Sequence, residues 1–393
     1  MPDPRDDAPR AARSRTESER TTRHRRDRRT QLAVVAIAAI VGIVAGALGT
    51  NRNGTARAGA VEPTTTTAPP PSPAQTLLLA HVNARGAVDL LALMGVRRGG
   101  RAGAVVFVPT ATLVQVPAFD SQRVSDVYRL GGSGLLATSV ANALDVGVNR
   151  VIVLTDAQLT DLLTPAGRMD VDLENPVQVN DAAGNLGFTA GRAHLGAADA
   201  IRLVIGPTTG GGLAHLAVVQ DVFEGWFARL RDPAVARATA KVRSAAWSLV
   251  ALAHSKVRFD TAPVTTLTSG SATIYELEDH DTARLVRADL PDALITTAHR
   301  PRVEILNGTG AIALTQQVAR LVVPAGGEVT LTGNVPGFGV KHTTVVYYRP
   351  DALAAAKRVA AALGVGSVAL GNVPLDVVDV TVVAGADFHP ERH

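Results

Sequence analysis

A chain of 393 residues with 46% hydrophobic content is long enough for two or three folded units with substantial cores, which excludes disorder throughout. Aromatic residues make up only 4%, so the cores must be built from Ala, Val and Leu, and platforms for stacking bases or sugars are scarce, which argues against a nucleic-acid reader. Cysteine is absent, excluding disulfides, thiolate metal sites and cysteine nucleophiles, and the pI near 9.7 owes much to arginines ahead of residue 30.

The segment ERTTRHRRDRR, Glu19 to Arg29, carries six arginines against two acids, and LAVVAIAAIVGIVAGALG, Leu32 to Gly49, has no charge and no proline. The apolar run is long enough to cross a hydrocarbon core as a helix. The arginine excess before it sets the amino terminus in the cytoplasm and the bulk of the chain outside. The competing reading is a cleaved signal peptide, against which stand the length of the basic region and of the apolar run. Residues 1–31 are therefore expected to be a cytoplasmic tail, 32–49 a transmembrane helix in the plasma membrane, and 50–75, with VEPTTTTAPPPSPAQ, a semi-extended Thr/Pro-rich linker.

Residues 76–295 alternate strand-like and helix-like stretches, the pattern of an α/β layered domain. TLLLAHVN, AVDLLALMGV and AGAVVFVP read as buried strands. VSDVYRLGGSGLLATSVANALDVG has helical spacing broken at Gly131 and Gly132, and VIVLTDAQLTDLL passes from strand to a helix capped by Thr155 or Asp156. GRAHLGAADAIRLVIG, HLAVVQDVFEGWFARL and ARATAKVRSAAWSLVALA supply helices. Beyond Pro301, RVEILNGTG is a strand ending in a tight turn, in which Asn307 and Gly308 tolerate positive φ. A helix, EVTLTGN, HTTVVYYRP, the helix DALAAAKRVAAALGVG and DVVDVTVVAGADF then give a βαββαβ-like order, expected as a small sheet with two helices on one face.

RVEILNGTG, TTVVYY, the Ala-rich helix and VDVTVVAGADF, over residues 301–388, resemble the LytR C-terminal domain of bacterial envelope proteins. The preceding unit is similar to a diverged LytR-CpsA-Psr domain. The resemblance runs through VFVPTATLVQVP, the Gly-Gly segment with its helix and strand, and HLGAADAIRLV. It implies an α/β sheet enclosing a polyprenyl-phosphate lipid, and in active members the transfer of glycopolymers from lipid pyrophosphate carriers to the cell wall.

Phosphoryl transfer requires arginines or a metal to neutralise pyrophosphate oxygens as charge moves. By the resemblance, Pro109 and Thr112 are retained, while Thr110 and Ala111 occupy the places of an Arg and an Asp. His215 and Val218 fall where arginines are expected, Gln220 near a family glutamine, and Arg202 one position from a family arginine. These positions form a degenerate pocket with no catalytic residue and no metal assigned. Other motifs yield to plainer readings. GPTTGGG lacks the Lys-Ser/Thr of a P-loop, and GNVPGFG follows a strand without opening a helix. Ser133 lacks the second glycine of a nucleophile elbow. His280 with Glu276, Glu278, Asp279 and Asp281 reads as an exposed acidic turn before a cation site.

The expected function is that of a cell-envelope protein, catalytically inactive, that scaffolds or binds a polyprenyl lipid, a wall polymer or other envelope proteins, without cofactor or nucleic acid. The alternative is an active glycopolymer phosphotransferase using Mg or Mn and relocated residues, among them Arg123, Arg129 or Arg202 with Asp120 or Asp126.

Overall fold

The computed structural model describes residues 76–208, 212–242, 247–269, 272–295, 299–371 and 377–392; the tail, apolar run and linker expected over 1–75 lie outside the described residues. Among the described residues no helix is long and apolar enough to cross a membrane. The architecture is mixed α/β.

The larger unit begins β1 (Thr76–Val82), β2 (Val88–Val96), β3 (Ala102–Phe107), β4 (Leu113–Val116), β5 (Asp120–Arg123), α1 (Val124–Leu144), β6 (Arg150–Leu154) and α2 (Asp156–Leu163). It continues β7 (Met169–Leu173), β8 (Val177–Asp181), β9 (Gly184–Phe188), β10 (Gly191–Leu195), α3 (Ala197–Ile205), α4 (Gly212–Leu230), α5 (Pro233–Val242) and α6 (Trp247–Ala253). It closes with β11 (Lys256–Thr261), β12 (Val264–Ser269), β13 (Ala272–Leu277) and α7 (Asp279–Asp289).

Its main sheet has the order β11-β3-β2-β1-β6, with β1 and β6 parallel, β3 and β11 parallel, and β2 antiparallel to both its neighbours. Every residue of β1 is buried, because layers cover both faces of the sheet. On one face Leu77, Leu79, Met94 and Phe107 pack against α2 to α6; on the other Leu78, Leu91 and Val106 pack against α1 and α7. A chain of edge-to-face contacts, Phe107–Phe223–Trp226–Phe227–Phe259, with centroids 5.3–5.5 Å apart, fills the first layer. The few aromatic residues are thus concentrated where the core is thickest.

One local expectation changes. GRAHL, expected to be helical, is strand β10, antiparallel to β7, because Ala193 and Leu195 alternate inward with Arg192 and His194 outward, a period of two. The helix α2 is capped by Thr155, one of the two residues expected there, in a capping box with Gln158.

The smaller unit comprises β14 (Arg302–Asn307), α8 (Leu314–Val322), β15 (Glu328–Asn334), β16 (Thr344–Tyr347), α9 (Leu353–Leu363), β17 (Ser367–Leu370) and β18 (Val380–Ala384). Its sheet has the order β15-β14-β18-β16-β17, and α8 and α9 share one face of it over Val303, Ile305, Val345 and Val382. Strand β17 is additional to the βαββαβ order; its residues are only partly buried or exposed, so no apolar run announces it. The turn after β14 also differs in its cause. Gly310, at φ 83°, takes the left-handed position, while the Asn307 carboxamide accepts the backbone N–H groups of Thr309 and Gly310.

The units pack through α1 and α8. The break in α1 falls at Gly131 and Gly132, the latter at φ 69°. A Cβ on Gly134 would stand 2.4 Å from the Arg320 guanidinium of α8, so the glycine-rich stretch permits this close approach.

Candidate functional site

The turn that follows β3 is fixed by backbone hydrogen bonds rather than side chains. The Thr112 N–H donates to the Pro109 carbonyl at 3.0 Å, and the Tyr275 N–H donates to the Ala111 carbonyl at 3.2 Å. The N–H groups of Val124 and Ser125, at the start of α1, donate to the carbonyls of Thr112 and Thr110 at 2.9 and 2.8 Å. Two of the four N–H groups that a helix start leaves open are therefore consumed here. Thr110 and Ala111 are half-buried and Thr112 is buried, its hydroxyl without a partner.

The other positions expected to form a degenerate pocket each have partners of their own. Arg202, in α3, forms a two-pronged pair with Asp181 at the end of β8, Nε to Oδ2 and Nη2 to Oδ1 both at 2.8 Å. The Arg202 hydrogen bond lowers the Asp181 pKa. His215 lies in α4, its Nδ1 2.8 Å from the Thr208 hydroxyl and its Nε2 3.1 Å from the Val204 carbonyl, and burial lowers its pKa. A neutral ring, accepting at Nδ1 and donating from Nε2, satisfies both contacts. Val218 belongs to the core, and the Gln220 amide donates to Glu224 Oε1 at 3.4 Å. None of these four side chains presents an unpaired positive charge to the turn at Thr110 and Ala111.

The residues of the alternative scheme are likewise divided. Arg129 pairs with Asp126 one turn earlier on α1 at 2.7 Å, while Arg202 pairs with Asp181. Asp120 opens β5 at φ 56°, and Arg123 precedes α1 without a capping side chain. Ser133 is exposed at the break in α1. In the loop 333–339 the Phe338 N–H donates to the Val335 carbonyl, closing a turn that leads into no helix. Part of GPTTGGG lies outside the described residues.

A polar group that sequence reasoning missed sits at the carboxyl edge of the main sheet, where open α/β sheets place ligands. His81, fully buried in β1, has Nδ1 2.5 Å from Asp89 Oδ1 on β2. Its Nε2 is 3.0 Å from Asp156 Oδ1 at the start of α2, in ion-pair contact but off the line of a hydrogen bond. Asn83 also donates to Asp89, at 3.4 Å. Being buried, the imidazole cannot meet a substrate; it positions two carboxylates, of which Asp156 is 64% exposed. The three residues are separated in sequence and belong together only through the register that sets β1 between β2 and β6. Among the described residues no three His, Asp or Glu side chains gather to hold a metal ion.

Comparison with known proteins gives one family match: residues 300–388 fit the family described as LytR cell envelope-related transcriptional attenuator. No curated protein matches the chain. Among solved structures, TagV of B. subtilis is similar at 15% identity and a TM-score of 0.49, over 58% of this chain and 100% of that one. A LytR-Csp2A-Psr enzyme from Actinomyces oris is similar at 18% identity and 0.44, over 60% and 95%. TagT of B. subtilis is similar at 14% identity and 0.46, over 58% and 94%.

Proposed function

We propose that this chain is a single-pass envelope protein whose external part keeps the frame of a LytR-CpsA-Psr domain without its phosphate clamp. It binds or scaffolds envelope components, a polyprenyl lipid among them, and does not transfer polymers. The observation that carries this reading is the turn after β3, where backbone bonds hold Thr110 and Ala111 in place and neither side chain has charge to offer a pyrophosphate. The fate of Arg202 supports it, since both prongs of its guanidinium are engaged by Asp181. The match of residues 300–388 to an envelope-related family supports the location, and the arginine-rich tail ahead of Leu32 supports the orientation.

The test is an assay of the full-length chain for pyrophosphatase and polymer transfer with magnesium or manganese, beside native mass spectrometry for a co-purifying polyprenyl phosphate. The expected result is no turnover above buffer with lipid retained. Turnover comparable to that of an intact family member overturns the reading.

The active phosphotransferase remains a second reading because of one observation, the Asp89–His81–Asp156 group at the carboxyl edge of the sheet. It uses the exposed Asp156 carboxylate beside His81, and predicts that Asp156→Asn abolishes turnover while leaving the fold intact.

A further inference from the structure

A cleft of about 550 Å³ lies where the two units meet, its walls coming from β4, the end of α1, β13 with the start of α7, and β15. Four carboxylates line it: Asp145, Glu276, Asp279 and Glu328. Arg300 pairs with Asp145, and at Glu328 burial raises the carboxyl pKa against the opposing pull of Arg300, so the standing negative charge comes chiefly from Glu276 and Asp279. Glu276 and Asp279 are exposed and make no ion pair among the described residues. His280 is the other titratable side chain on the wall. The cleft therefore holds an excess of negative charge in a concave surface, which focuses the field on whatever enters.

Acidity alone would describe a solvated face. Two hydroxyls among the lining residues, one from each unit, point further. Thr282, on α7, is only 4% exposed and its Oγ1 has no hydrogen-bond partner; Thr330, on β15, is half-buried and its Oγ1 also has none. Buried polar atoms are nearly always satisfied, so an orphaned pair lining one cleft marks donors or acceptors supplied from outside. Thr330 also sits at a register shift between β15 and β14, where Val303 pairs with Val329 but Glu304 pairs with Leu331. Such a bulge, on the edge strand of a sheet, re-aims a side chain.

The carboxylates do not converge: no three of them are close enough to hold one metal ion. Spaced negative charges suit a ligand with spaced positive charges. We propose that this cleft binds a compact ligand carrying two or more ammonium groups. The volume admits about three amino-acid residues or a linear polyamine, and the hydroxyls of Thr282 and Thr330 accept from ammonium N–H donors while Glu276 and Asp279 supply the counter-charge. The inference goes beyond the envelope-scaffold reading and stands or falls separately, since it involves neither the turn at Thr110 nor the carboxyl edge.

The experiment is titration calorimetry of the full-length chain at low ionic strength with trilysine and with spermidine, and with triglutamate as the opposite-charge control. Saturable 1:1 binding of a cationic probe is expected, weakening as salt is raised. Glu276→Gln with Asp279→Asn should weaken it about tenfold, as the loss of two exposed charge contacts implies. Thr282→Val, which removes a hydroxyl without altering charge, should weaken it about threefold while leaving the thermal midpoint no lower. Tighter binding of trilysine assigns the cleft to peptide amines, and tighter binding of spermidine to free polyamines; either supports the site. Absence of saturable binding by both cations, equal binding of triglutamate, or unchanged affinity in the Glu276→Gln/Asp279→Asn chain overturns it.

Discussion

Asn142 and Val329 close a reciprocal pair of hydrogen bonds across the two units: the carboxamide Nδ2 donates to the Val329 carbonyl at 2.9 Å and Oδ1 accepts the Val329 N–H at 2.9 Å. The edge strand β15 is thereby finished by a side chain of α1. Arg300 adds a bond from Nη2 to the same Oδ1 at 3.2 Å and another from Nη1 to the Asn142 carbonyl at 3.1 Å. Asn142→Ala leaves the Val329 N–H and part of the guanidinium buried without partners. It should cost about 2 kcal/mol or more of unfolding free energy, measured by denaturant titration. A change within about 0.5 kcal/mol would show that water replaces the amide there.

Asp221 gives a pH dependence of definite sign. Burial pushes its carboxyl up to about 6, and the neighbouring Glu224, Glu174 and Asp172 push the same way. Its contribution to stability is full below the ordinary carboxyl range and is lost as pH rises through about 6. Asp221→Asn should therefore raise stability at pH 7 by about 1 kcal/mol, allowing for solvent screening, and change it little at about pH 4. Carboxyl NMR titration, with thermal melts of both chains, checks the midpoint and the sign together.

A second carboxylate pair lies at the outer strand of the main sheet. Asp289 is 2% exposed, and burial first, then Asp260, raises its pKa against the opposing pull of Arg258, 3.0 Å away. The stability that protonated Asp289 supplies is lost as pH rises, so Asp289→Asn should raise the thermal midpoint at neutral pH. The advantage should shrink as the solution approaches the ordinary carboxyl range. A lower midpoint for the variant at pH 7 would mean that the Arg258 pair outweighs the burial cost.

The turn after β3 invites a gain-of-binding experiment. Because carbonyls and N–H groups hold residues 109–112, Thr110→Arg with Ala111→Asp should fold as the parent does. With an arginine in reach, the affinity for inorganic pyrophosphate should rise about tenfold. Calorimetry reads the change, and an unaltered affinity would show that the turn does not aim its side chains at an anion site.

The order of strands and helices was largely legible from apolar runs and their periods, because burial on both faces leaves strands such as LLLAHV continuously hydrophobic. Legibility failed where polar residues held the structural information. GRAHL concealed a strand in which only Ala193 and Leu195 turn inward. The four-residue β17 had no buried residue to betray it. Among the positions expected to form a degenerate pocket, the sequence could show that Thr110 and Ala111 lack charge, but not that Arg202 would be engaged by Asp181 or that His215 would be held between Thr208 and the Val204 carbonyl.

By itself, the sequence determined the charge of the tail, the apolar run, the absence of thiol chemistry and the alternation of elements, all of which depend on composition and on spacing along the chain. Only the tertiary structure decided which polar groups meet. His81 finds Asp89 and Asp156 through strand register, Asn142 finds Val329 across 187 positions, and Thr282 and Thr330 face one cleft from different units. Hydrogen bonds and ion pairs act over a few ångströms in space, a distance that position along the chain does not record.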